Sequence, residues 1–152
     1  MAQGRAIGVS LAQQLAKVEK DLTEVRDVFL AEMANDIVSS SPVWAGQYVT
    51  SHSISTKSAA GRFTGTIETG MTEKTAYPEA YKAEGRANLM SDINALPKEA
   101  PLVYLNNNAP HAQIVESGGW ASGTPPYKVY ANAVARSGIH MATAIAKVRG
   151  GQ

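Results

Sequence analysis

The chain contains no cysteine. That absence excludes disulfide scaffolds, thiol catalysis, iron-sulfur clusters and every zinc site built on thiolates. Long apolar runs are missing as well. No stretch approaches the roughly 18 consecutive apolar residues that a membrane-crossing helix needs, and Met1 to Val9 holds no run suited to a secretory signal. The expectation is a chain kept in a cytoplasm, or in a particle assembled there, with no membrane partner. A surplus of positive charge is also absent: 14 Lys plus Arg stand against 13 Asp plus Glu, a formal net charge of +1. A protein that grips nucleic-acid backbone carries a clear basic excess, so general nucleic-acid binding is not expected.

What is present suits one domain over residues 1–152. Hydrophobic residues make up 44% and charged residues 18%, enough apolar surface to bury a core. Leu11, Leu15, Val18, Leu22, Val25 and Phe29 alternate by four and three, with Met33 and Ile37 extending the stripe. This spacing predicts one long helix over Leu11 to Val38, opened by a Ser10/Gln13 capping box and ended by Ser39, Ser40, Ser41 and Pro42. At 1.5 Å per residue it is about 40 Å long, more than a domain of this size needs to cover its core, so part of it is free to project.

Trp44 to Thr69 is rich in Thr, Ser, Tyr, Val and Ile, which predicts two strands joined near Ala59-Ala60-Gly61. Tyr48, Thr50, His52 and Ile54 share one face, and Phe63, Gly65 and Ile67 lie on the other strand. Pro78 opens a middle helix that runs to about Leu96 and stops at Pro97, weakened by Gly85 inside it. Leu102 to Leu105 reads as a short buried strand followed by a turn at Asn106 to Pro110, and His111 to Glu116 as a short strand or one helical turn. Thr124 and Pro125 are placed to start a terminal helix striped by Tyr130, Val134, Met141, Ile145 and Val148. The fold expected is α+β: an antiparallel sheet of about four strands with a long N-terminal helix, a middle helix and a C-terminal helix.

Charge is divided along the chain. The first helix carries Glu19, Asp21, Glu24, Asp27, Glu32 and Asp36 against Lys17, Lys20 and Arg26, while no carboxylate side chain follows Glu116. The two ends are either ordinary solvated faces or the complementary sides of a head-to-tail contact between copies.

Reaction chemistry has little to rest on. His52, His111 and His140 lie in three separate segments with no metal-ligand spacing, so neither a metal nor a cofactor is expected. The glycine-rich stretches continue into no phosphate-binding fingerprint, and no Gly-x-Ser-x-Gly elbow exists. His111 with Glu116 is the one acid-base pair close in sequence, and it defines the hydrolase alternative. Trp44 and Trp120 read as core plugs or interface anchors. Glu116 is the only acidic side chain after Pro101 and stands beside glycines; a basic residue of the last helix or a backbone amide is its expected partner.

Two segments carry a resemblance. Pro42-Val43-Trp44-Ala45-Gly46 leads through Tyr48 to Ser53-Ile54, and Tyr104-Leu105-Asn106-Asn107-Asn108-Ala109-Pro110-His111 leads to Glu116-Ser117-Gly118-Gly119. In these the chain resembles the small neck or tail-completion (head-tail joining) proteins of tailed bacteriophages. It departs from their pattern at Gln47, where a basic residue is common, at His111, where tyrosine is usual, and at Ser117, where an aromatic residue precedes glycine. The resemblance implies a non-enzymatic virion protein that forms a hexameric or dodecameric ring between a portal-side adaptor or head-closure protein and the tail tube or its terminator. Genomic DNA would pass through the lumen without sequence-specific binding. A terminator ring capping the tail tube is the alternative of the same kind. The residues it marks as family motif and interface are Pro42, Gly46, Ser53, Ile54, Tyr104, Asn107, Pro110, His111, Glu116, Gly118 and Gly119.

Overall fold

The computed structural model describes residues 2–58, 61–62 and 74–151. In chain order these form α1 (Ala2–Ser40), a single turn α2 (Gln47–Thr50), β1 (His52–Ser55), α3 (Pro78–Ala95), β2 (Tyr104–Asn107), α4 (Ala112–Ser117), α5 (Val129–Ala135) and α6 (Ser137–Gly150). Among the described residues, no helix is long and apolar enough to cross a membrane.

α1 is the wall of the molecule. Its 39 residues span about 58 Å at 1.5 Å per residue. The helix runs straight through Ser10, so Ser10 and Gln13 do not open it. Its buried side chains among the described ones lie between Leu30 and Val38, and the apolar stripe there is wide enough to serve two cores. Leu30, Ala34 and Val38 pack with Val49, Ile54, Leu89 and Ile93, while Met33 and Ile37 pack with Tyr48, Ala109, Val115, Val129 and Ala133. Trp120 lies against the second of these cores, and Trp44 is largely exposed with the Lys74 ammonium over its ring.

The α+β expectation holds, but the sheet among the described residues has two strands rather than four. β1 and β2 pair antiparallel, with His52 opposite Asn107, Ser53 opposite Asn106, Ile54 opposite Leu105 and Ser55 opposite Tyr104. On the other side of β1, side chains take the backbone groups a third strand would use. The Ile54 N–H donates to Asp92 Oδ2 at 3.0 Å, the His52 carbonyl accepts from Arg62 at 3.3 Å, and Arg62 in turn holds Asp92 at 2.7 Å. The strand expected at Phe63, Gly65 and Ile67 lies outside the described residues.

Tyr48, Val49 and Thr50, expected as strand, form the turn α2 instead. Gly46 starts it with φ +86°, and a Cβ there would lie 2.3 Å from the Tyr81 ring, so glycine answers both the backbone and the packing. Gly85, whatever it costs α3 as a helix residue, lets that helix cross α2 closely, since a Cβ would stand 2.5 Å from the Val49 carbonyl oxygen. The terminal helix does not start at Thr124 and Pro125. It begins at Val129 and is divided at Arg136 into α5 and α6.

The acidic and basic ends of the sequence meet within one chain. α6 lies antiparallel against α1, with Arg136 Nε 2.8 Å and His140 Nε2 2.7 Å from Asp36, and Lys147 Nζ 2.5 Å from Glu32. The hydrogen bonds from Arg136 hold the Asp36 carboxyl below the usual range against the opposing effect of burial. Asp36 and Glu32 therefore have partners within the chain.

Candidate functional site

The two segments that carry the resemblance fold into one unit. β1 comes from the first and β2 from the second, and Asn107 ties them beyond their ladder by donating from Nδ2 to the Tyr48 carbonyl at 2.8 Å. Its Oδ1 accepts from the Ala109 N–H at 2.9 Å, which closes the turn before Pro110. Ser53 and Ile54 are buried in β1, Tyr104 is half-buried opposite Ser55, Pro42 is half-buried in the link from α1, and Pro110 is exposed.

At the centre of this unit stands His52, 1% exposed. Its Nε2 lies 2.8 Å from Ser41 Oγ, and its Nδ1 lies 2.8 Å from Tyr130 Oη and 3.0 Å from Asn107 Nδ2. The Ser41 hydroxyl donates its one proton to the Ile37 carbonyl at 2.7 Å, so toward His52 it can only accept. The imidazole proton is thereby fixed on Nε2, and Nδ1 accepts from the tyrosine hydroxyl and the asparagine amide. Burial pushes the His52 pKa down to about 3, and burial likewise raises the phenols of Tyr48 and Tyr130. Tyr48 packs its ring edge-on to His52 at 4.9 Å between centroids.

This polarity is the reverse of what nucleophilic catalysis requires. An activated serine gives its proton to histidine; Ser41 donates its hydrogen bond to a main-chain carbonyl and accepts one from His52. With Ser41 only 3% exposed, the pair also has no access to a substrate.

Glu116 has the partner type expected as one of two options, backbone amides. From α4, its Oε2 accepts from Tyr130 N–H at 3.0 Å and its Oε1 from Ala131 N–H at 2.8 Å. The carboxylate thus caps the first turn of α5, where the amide donors lack intrahelical partners and the helix dipole favours negative charge. Lys128, the residue preceding α5, contributes no side-chain cap and sits at φ 53°. The Tyr127 N–H donates to the Val115 carbonyl at 2.9 Å, so the loop through Gly118 and Gly119 returns to α4.

His111 and Glu116 do not work together. His111 precedes α4, half-buried, with its ring centroid 6.1 Å from that of Tyr48 and its pKa lowered by burial. Glu116 faces the other way, onto α5. The residues that hold the unit and that sequence reasoning passed over are Ser41, His52 as a hub, and Tyr130. Ser41 and Tyr130 stand 11 and 78 positions from His52, so no local pattern joins them; the one available signal was a histidine alternating with Ile54 on the buried face of a strand.

Comparison with models of protein families, with curated proteins and with solved structures returns no match.

Proposed function

We propose that the chain is a structural virion protein of a tailed bacteriophage, forming a ring at the head-tail junction that completes the tail or connector and leaves a channel for DNA. The observation that carries this reading is how the motif residues are used. Asn107 and Glu116, the most distinctive of them, spend their polar atoms on holding main chain and the His52 ring. They are joints of a scaffold. A reaction centre needs polar groups turned toward a ligand, and the hydrolase alternative built on His111 and Glu116 finds the Glu116 oxygens engaged by two amides.

The charge balance supports the same reading. A lumen that bound phosphates tightly would impede DNA movement, because each neutralised phosphate adds affinity through counterion release; a chain of net charge +1 suits weak contacts. In this reading the neighbours are further copies of the chain, a portal-side adaptor or head-closure protein and the tail tube or its terminator, in the virion after assembly in a host cytoplasm.

The test is to purify particles from cells in which this chain is deleted or supplied in tagged form, and to image them. The expected result is unjoined heads and tails without it, and a six- or twelvefold ring containing it at the junction when it is restored. Normal particles without the chain, or substrate turnover by the purified protein, would overturn the reading.

A further inference from the structure

Two buried side-chain polar atoms among the described residues have no hydrogen-bond partner, Tyr48 Oη and Trp120 Nε1, and both belong to the second core. Buried donors of this kind are rare, because each forgoes the bond it makes with water. The two differ in how they are held. Tyr48 is fixed in α2, where its carbonyl accepts from the Ser51 N–H and from Asn107 Nδ2. Trp120 stands on the connection between α4 and α5.

That connection is pinned at its base. The Gly118 N–H donates to the Ile114 carbonyl at 2.8 Å and the Tyr127 N–H to the Val115 carbonyl at 2.9 Å. A Cβ at Gly118 would stand 3.3 Å from Pro126, so the two ends touch. The arch between them, residues 119–125, makes its hydrogen bonds among the described residues only to itself: the Gly123 N–H donates to the Trp120 carbonyl at 3.0 Å, and the Ser122 and Thr124 hydroxyls lie 2.8 Å apart. At Gly119 and Gly123 nothing lies within 4 Å of where a Cβ would be, so the backbone there runs clear of the body. Every residue of the arch is exposed except Trp120.

One indole ring therefore fastens the whole arch. Burial of the ring favours the closed form, and the stranded N–H opposes it. Opening returns that N–H to water and breaks no hydrogen bond between arch and body. A segment with so few attachments opens at a lower cost than the fold as a whole.

We propose that Trp120 is a latch: the arch 119–125 swings off the second core as a unit, while its base at Gly118 and Tyr127 and the Glu116 cap of α5 stay in place. Closed, the arch presents the small polar surface of Ser122 and Thr124. Open, it presents an aromatic ring with a free N–H donor, so the fold keeps an aromatic contact surface that it can show or withdraw. The device does not depend on the ring reading above.

Chymotrypsin takes an aromatic ring into its own pocket, so it cuts after Trp120 only when that ring is out of the core. The experiment uses the full-length parent and compares initial rates of cutting after Trp120 and after Tyr130, whose hydroxyl is held on His52. The expected result is a cut after Trp120 at least about 100-fold faster than after Tyr130, and unchanged by urea below the unfolding transition. Equal rates, or a Trp120 cut that rises with urea as steeply as the Tyr130 cut, would mean that the ring leaves only on unfolding and would overturn the latch. Hydrogen exchange read by NMR gives an independent measure. The chain has two tryptophans, and comparison with Trp44→Phe assigns the Trp120 indole resonance. Its protection should lie at least about 100-fold below that of the Tyr130 and Ala131 amides, which Glu116 holds. An indole proton as protected as those amides overturns the proposal, and so does a Tyr127 amide as unprotected as the indole, since the base would then open with the arch.

Discussion

Lowering the pH from 7 to 5 should destabilise this protein through His52. In the unfolded chain a histidine titrates near 6.5, whereas in the fold burial holds His52 down to about 3. Between these values the unfolded state carries a proton that the folded state lacks, so stability falls as pH falls, by about 1.4 kcal/mol per pH unit. From 6.5 to 5 the loss is about 2 kcal/mol, and it needs only that the folded value lie well below 5. The hydrogen bonds give the mechanism: a second proton, on Nδ1, would face the Asn107 amide and the Tyr130 hydroxyl, both donors in the neutral state. The assay is urea unfolding followed by tryptophan fluorescence at pH 7, 6 and 5 for the parent and for His52→Gln. With a urea m-value near 2 kcal/mol per M, the parent midpoint drops by about 1 M. His111, also lowered by burial, adds to the parent slope and is retained in the variant, so the difference between the two isolates His52. Asp36, whose carboxyl is held low by Arg136, loses its contribution only below the window. The same pH dependence in His52→Gln as in the parent would refute the assignment of a neutral buried imidazole.

Three further outcomes follow from the contacts described. Ser41→Ala strands the buried Nε2–H of His52 without its acceptor and should cost about 1–3 kcal/mol in the same urea assay; no loss would mean that the proton is not on Nε2. Glu116→Ala removes the cap of α5 and should cost about 1–2 kcal/mol, with Glu116→Gln losing less because its amide oxygen can still accept from one of the two N–H groups; an unchanged midpoint in the alanine variant would count against the cap. Gly85→Ala should lower the melting temperature although alanine is the better helix former by about 1 kcal/mol, because its Cβ meets the Val49 carbonyl oxygen at 2.5 Å; a higher melting temperature would show that α3 and α2 part easily.

The elements legible in the sequence were those whose determinants are local. The buried half of α1 follows from its periodic stripe, and α3 is bounded by Pro78 and Pro97 as the prolines indicate. Ile54 and Leu105 announced strand positions and do pair with each other. The misreadings arise where a distant group decides. Tyr48-Val49-Thr50 has strand propensity, yet it is held as a turn by Thr50, whose N–H and hydroxyl both donate to the Gly46 carbonyl at 3.1 and 2.9 Å. Thr124 and Pro125 look like a helix start, but the cap of α5 arrives from Glu116, 14 and 15 positions before the amides it binds. The charge division suggested contacts between copies, and α6 folding back on α1 satisfies much of it internally. Within the site, Asn107 and Glu116 were singled out by type and spacing; His52, Ser41 and Tyr130 were not, because a network assembled from three distant segments leaves no motif.

The Asp92 and Arg62 plug over β1 has a bearing on how the chain behaves when it comes apart. An open strand flank is a template for cross-chain stacking, and here Asp92, which caps the Ile54 N–H and anchors Arg62, is seated on α3 rather than on the strand itself. Loosening α3 therefore uncovers the ribbon while β1 and β2 still hold together, so clumping should begin at the first loss of that helix and precede the melting of the rest.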